Sequence, residues 1–287
     1  MLNRDANQPR KNPLMQRIWR RIFGERSRVE HFGDFREKAD HGLIERQNYV
    51  YGMLRAADTA RYFDKKAVTV CEFGVATGAG LLNMVDLAGL IGRETGVRFR
   101  VVGFDTGAGL PAPTSYKDHP ELWSGGDFSM GDTTALRARL ASKAELILGD
   151  INDTIDGFVA TLTPDSPLGF VSVDVDIYTG TVAALRGLHG QVDRYLPAVS
   201  FYLDDVSSYF SNRACGELLA VAEHNAAMPL RPIDRDRSLP GWRMRHDAAW
   251  YKAMYVCHLL DHPYRNAPRN RRPLGLEEHL DFMSVLR

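Results

Sequence analysis

The sequence predicts an α/β fold: a doubly wound, mostly parallel seven-stranded sheet with an antiparallel edge strand, preceded by helices. Three observations predict it. Residues 68–80, VTVCEFGVATGAG, run from a β-branched stretch into Gly74, Gly78 and Gly80 and then into a helical pattern over residues 81–91. Short apolar runs recur at 98–105, 145–148, 168–173 and 198–203 with helical patterns between and after them, 180–194 and 211–227 included, the alternation that builds parallel βαβ units. Toward the C-terminus the strand-like stretches 230–235, 242–245 and 250–258 follow one another with no helix between, which calls for antiparallel pairing at a sheet edge.

The bulk numbers fit that fold. A chain of 287 residues, 44% hydrophobic and 25% charged, suits one large α/β domain with terminal additions. The expected division is a helical arm and cover over residues 1–66, the sheet domain over 67–260 and a tail over 261–287. Lys+Arg and Asp+Glu both total 36, and zero net charge argues against nucleic-acid binding by bulk electrostatics. Cys71, Cys215 and Cys257 are odd in number and widely spaced, so they read as reduced, buried thiols. No apolar run reaches the roughly 18–20 residues of a membrane span, and the N-terminus shows no signal-peptide core. A cytoplasmic location is the default expectation.

The first 28 residues are basic, with Arg4, Arg10, Lys11, Arg17, Arg20, Arg21, Arg26 and Arg28 against Asp5 and Glu25. Leu14, Met15, Ile18, Trp19, Ile22 and Phe23 recur there at helical spacing. Such a helix suits a membrane surface or a partner. The more ordinary expectation is an arm packed on its own domain or on a homodimer mate. Residues 35–66 read as one or two further helices able to cover a site mouth, with His41, Arg46 and Tyr49 as lining candidates.

Strand, glycine turn and helix in that order are the Rossmann-like arrangement that lets backbone N–H groups approach a nucleotide-like ligand. A Cβ on those glycines is expected to hold the ligand off, or to need φ > 0 at a cost. The second strand ends on Asp105, 25 positions after Gly80, where an acid accepts from ribose hydroxyls. A plain turn role is the alternative. Residues 106–132 form a long Gly- and Pro-rich connection, and one of that length reads as a lid or substrate loop. After the third strand, Asp150 and Asn152 suit an adenine amine and Ile151 its face, while helix capping accounts equally well for Asp150.

The fourth and fifth strands run into Asp174-Val175-Asp176 and Asp204-Asp205. Four acids at neighbouring strand ends repel one another unless a cation sits among them. Oxygen-only donors suit magnesium or a similar divalent cation. The competing account is that these acids cap helices or contact the nucleoside.

The ordered set EFGVATGAG, GFDTGAGLP, VDVDIYTGT and YLDD resembles class I S-adenosylmethionine-dependent methyltransferases, and within them the macrocin O-methyltransferase family, over about residues 68–225. Glu72, Gly74, Gly78 and Gly80 match the family's acidic glycine turn. Asp105-Thr106 with Gly109-Leu110-Pro111 matches the stretch after its second strand, with Gly107 standing at an aromatic position. Asp174, Asp176, Tyr178 and Thr181 match its Asp-x-Asp-x-Tyr-x-x-Thr stretch, and Asp204-Asp205 its acid pair. GDINDTI replaces a tryptophan-containing segment.

The resemblance implies S-adenosylmethionine as cofactor, a divalent metal, and methyl transfer to a hydroxyl of a sugar or other small natural-product-like acceptor. Expected cofactor contacts are Glu72, Gly74, Val75, Gly78, Gly80, Asp105, Thr106, Asp150, Ile151, Asn152 and Asp174. Expected metal ligands are Asp174, Asp204 and Asp205, with Asp176 as the alternative and Asp174 as general base. Rival readings are a nicotinamide oxidoreductase, a metal-dependent nucleotide-sugar glycosyltransferase using Asp174-Val175-Asp176, and a non-catalytic scaffold. The first lacks a Tyr-x-x-x-Lys after the fourth strand, since the one such spacing found, Tyr62 to Lys66, precedes the glycine turn.

Overall fold

The computed structural model describes residues 13–208, 210–239 and 248–267. Three helices come first: α1 (Pro13–Phe32), α2 (Phe35–Asp40) and α3 (Gln47–Tyr62). Then strands and helices alternate: β1 (Ala67–Phe73), α4 (Ala79–Thr95), β2 (Arg98–Asp105), α5 (Thr133–Leu140), β3 (Glu145–Leu148), α6 (Ile151–Thr161), β4 (Leu168–Val173), α7 (Tyr178–Leu185), β5 (Tyr195–Leu203) and α8 (Gly216–Ala227). The described chain closes with β6 (Ile233–Arg235), β7 (Met254–His258) and the short α9 (Pro263–Asn266).

The seven strands lie in the order β3-β2-β1-β4-β5-β7-β6. The first five are parallel, and β7 enters antiparallel between β5 and the edge strand β6. Helices cover both faces. Ile155 and Phe158 of α6, Leu185 of α7 and Val221 of α8 share one core with Cys71 and Phe73 of β1. Met53 of α3, Leu81 and Met84 of α4 and Leu136 of α5 share the other with Val68 and Val70. A parallel strand buried on both faces reads as a continuous apolar run, as 168–173 does.

Local chemistry sets several boundaries. Asp34 and Glu37 form a reciprocal capping box on α2, and Gly96 (φ 74°) ends α4. The helix expected over 180–194 stops at Leu185 and gives way to short turns. Tyr195 explains the break: its buried hydroxyl donates to the Gly187 carbonyl at 2.8 Å and accepts the Gly190 N–H at 2.7 Å. The strand expected from residue 230 begins only at Ile233, after Pro232, which has no N–H to give a ladder. The helix expected from residue 211 starts at Gly216 (φ 59°).

The stretch 242–245, the tail arginines Arg269, Arg271 and Arg272, and residues 1–12 lie outside the described residues. The three cysteines are free and buried, and burial pushes the Cys257 thiol up to about 12.

Candidate active site

Because β1 and β4 are neighbours while the chain leaves them in opposite directions, a crevice opens at their carboxyl ends, where open α/β sheets bind ligands. There the structure has a cavity of about 490 Å³. Gly74, Ala76, Asp105, Thr106, Asp150, Ile151, Asn152, Asp174, Asp176 and Asp204 line it, and Leu110, Pro111, Ala112 and Phe128 bring the long connection after β2 to its wall. Of the expected cofactor contacts, Glu72, Val75, Gly78 and Gly80 do not reach the cavity surface.

Gly74 and Gly78 (φ 89°) take the expected positive φ, but the space beside Gly74 and Gly80 is filled by protein rather than left for a ligand. At Gly74 (φ 86°) an added Cβ would collide with the carbonyl oxygen of Asp174. At Gly80 it would collide with the carboxylate of Glu72. Both positions are bare so that protein can meet protein at the root of the turn. Glu72 is 2% exposed, accepts the Tyr49 hydroxyl at 2.5 Å, and its other oxygen has no partner among the described residues. Burial pushes this carboxyl up to about 8, against the hydrogen bond from Tyr49, which favours ionisation. Tyr49 also accepts from Ser172 of β4 at 3.1 Å. The residue therefore belongs to the sheet-facing side of α3 rather than to a cover over the mouth, since α3 packs on β1, β4 and β5.

Asp105 staples the turn. One of its oxygens accepts the N–H groups of Val75 and Ala76 at 2.9 and 2.8 Å, and the other accepts the Gly107 N–H at 2.7 Å. Its carboxylate still lines the cavity, so the turn role and the ligand role share one side chain. Thr106 donates to the Gly109 carbonyl at 2.6 Å and so shapes the loop. Asp150 caps α6 by accepting the Asn152 N–H at 2.8 Å and lines the cavity as well.

On the β4–β5 side the acids converge. One carboxylate oxygen from each of Asp174, Asp176 and Asp205 lies within 4.8 Å of the others. Burial and mutual repulsion push all three up to about 7. Asp176 joins the group in place of Asp204 because its left-handed backbone (φ 60°) turns the chain sharply between β4 and α7. Asp204 instead accepts the Tyr202 hydroxyl and faces the cavity.

Glu217, which the sequence reading passed over, stands behind them at the start of α8. It is 2% exposed and accepts the Asp205 N–H at 2.8 Å. One oxygen of Glu217 and one of Asp205 are buried with no hydrogen-bond partner among the described residues. Orphaned oxygens in an oxygen-only set are what a hard divalent cation satisfies, so these residues fit such an ion.

The connection after β2 is fastened by Asp118, which is fully buried. It accepts the N–H and hydroxyl of Thr114, both at 2.9 Å, and the N–H of Thr179 at 2.8 Å. The sequence shows Asp118 only as an acid within the long connection, and the fold supplies Thr179 as its partner.

No protein-family model matches the chain, and no curated protein matches its sequence. Solved structures do. The chain is similar to CalS11, a calicheamicin methyltransferase, with a TM-score of 0.52 and 17% identity over 88% of this chain and 94% of that one. An apo structure of CalS11, described as a TDP-rhamnose 3'-O-methyltransferase, gives 0.43 at 18% identity over 88% and 95%. An O-methyltransferase from Bacillus cereus in complex with SAH gives 0.39 at 10% over 85% and 97%. The chain therefore has the class I S-adenosylmethionine-dependent methyltransferase fold.

Proposed function

We propose that this protein is an S-adenosylmethionine-dependent O-methyltransferase assisted by a divalent cation, magnesium or similar. Its acceptor is a hydroxyl of a sugar or of another small natural-product-like molecule. One observation carries the reading: the glycine turn of β1 and the strand-end acids Asp174, Asp176 and Asp204 line a single cavity, with Gly74 against Asp174 at their junction and Asp205 within the same acid group. The fold supports the cofactor, and the sequence resemblance supports the acceptor class.

S-adenosylmethionine supplies an electrophilic methyl group and the cation supplies positive charge beside the acceptor oxygen. The residues do the rest. Asp105, Asp150 and the 74–76 backbone hold the nucleoside side of the cavity. Asp174, Asp176 and Asp205 hold the cation, with Asp204 beside them. With both groups bound, Asp174 would take the hydroxyl proton while the methyl carbon passes from sulfur to the acceptor oxygen, the carbon–sulfur bond breaking to leave the neutral thioether. The loop carrying Leu110 to Phe128 limits water and orients the acceptor, which lowers the entropic part of the barrier.

Thermal-shift titration of the protein with S-adenosylmethionine, NAD and nucleotide sugars, each with and without magnesium, tests this. Stabilisation by S-adenosylmethionine alone, increased by magnesium, is expected. Stabilisation by NAD or by a nucleotide sugar in place of S-adenosylmethionine overturns it.

A further inference from the structure

Helix α1 has two unequal halves. Gly24 (φ 83°, ψ 170°) breaks it. The half after the break is anchored: Val29 is fully buried, Arg28 pairs with Glu25 and Glu37 at 2.7 and 2.9 Å, and Arg26 donates to the His41 carbonyl at 3.0 Å. The half before it, residues 13–23, folds back along the anchored half. The Trp19 ring lies tilted against His31 and edge-on to Phe32, its indole N–H donates to Ser27, and Arg28 reaches Gln16 at 3.4 Å.

Its outer face is largely exposed. Leu14, Met15, Ile18, Ile22 and Phe23 are 50–65% exposed. At about 100° per residue these side chains and Trp19 fill one half of the helix, while the other half holds Gln16, Arg17, Arg20 and Arg21. No acid occurs between residues 13 and 23. Among the described residues Arg20 pairs with Glu25 at 3.8 Å, an ion pair open to solvent.

We propose that this half of α1 is an in-plane membrane-surface helix that docks the protein on an anionic lipid bilayer. The charge pattern chooses the occupant. A wide apolar face flanked by arginines without acids matches a hydrocarbon boundary roofed by anionic headgroups, with the arginine stems lying along the interface and their guanidinium groups reaching outward. A second copy of the helix across a two-fold axis would set arginine against arginine with no acid in either segment to pair them. At about 16 Å the helix is also too short to supply alone the area a stable dimer buries, about 1,200–2,000 Å². No described helix is long and apolar enough to cross a membrane, so attachment is to one surface and reversible.

Vesicle co-sedimentation of the full chain tests this, with phosphatidylcholine vesicles prepared with and without phosphatidylglycerol. The protein is expected to pellet with the anionic vesicles and to be released by salt. The double variant I18D/I22D should bind at least about tenfold more weakly, and R17Q/R20Q/R21Q should lose the preference for anionic lipid. Both alter an exposed face, so circular dichroism and melting temperature should match those of the wild type. A wild-type protein that stays in the supernatant with both vesicles overturns the proposal. So does an I18D/I22D variant that pellets like the wild type. Sedimentation equilibrium showing a dimer that I18D/I22D dissolves, with no vesicle binding, overturns it in favour of a second copy.

Discussion

Asp174 and Gly74 abut backbone to backbone: the carbonyl oxygen of Asp174 occupies the place where a Cβ on residue 74 would sit. The contact is fixed on both sides. The Asp174 N–H donates to the Phe73 carbonyl and the Gly74 N–H to the Phe104 carbonyl, each at 2.9 Å. This is how three strands end at one point, and why Asp174 lies next to the turn.

Gly74→Ala is therefore expected to destabilise the protein by more than the roughly 1–2 kcal/mol that a left-handed backbone costs an L-residue, because β1 and β4 must also separate. Chemical denaturation measures the loss. S-adenosylmethionine binding should weaken with it, and a variant with wild-type stability would show that the strands part freely.

Removing a cation ligand should be separable from removing a neighbour. D174N, D176N and D205N are each expected to weaken manganese binding, read by calorimetry, by more than the about 10–100-fold typical of an outer residue. D204N should cost less, since its carboxylate is engaged by Tyr202. Equal losses across all four would place Asp204 among the ligands.

The acids also set a pH dependence. Asp174, Asp176 and Asp205 stand at about 7 in the fold against an ordinary value of 3.8. The folded protein thus binds more protons than the unfolded chain between about 4 and 7, and stability falls as pH rises through that window. Metal-free protein should melt at a lower temperature at pH 8 than at pH 5, with magnesium restoring more at pH 8. A melting temperature that rises with pH over that range would contradict the raised carboxyls.

Asp118 ties the loop after β2 to the start of α7. Asp118→Ala leaves Thr114 and Thr179 donors unmatched and is expected to cost about 1–3 kcal/mol. Both threonines line the cavity, so cofactor affinity should fall as well. Urea denaturation and a cofactor titration read the two effects, and a change in stability alone would confine Asp118 to a structural part.

The legible parts of the fold were those set by local patterns. Strands 98–105, 145–148 and 168–173 appear with the expected bounds, because each is an apolar run closed by Asp, Gly or Asp-x-Asp. Asp105, Asp150 and Asp174 were visible as strand-end polar residues, and all three line the cavity. What depended on distant partners was not legible. Glu72 looked like a ligand contact until Tyr49, 23 residues earlier, claimed it. Asp176 was legible as the alternative ligand, but the left-handed backbone that it takes was not, and Glu217 looked like an ordinary first-turn acid on α8. Tyr195 cut short a helix from beyond its end.

The sheet order has a wider consequence. Asp105 closes β2 and Asp150 follows β3, whereas Asp174, Asp176, Asp204 and Asp205 follow β4 and β5, and the β1–β4 seam lies between the two sets. On the function proposed above, donor handling and acceptor handling would be carried by separate blocks of chain. Lineages descended from such a design are free to exchange one block's specificity while inheriting the other unchanged, which makes the seam the part least open to variation.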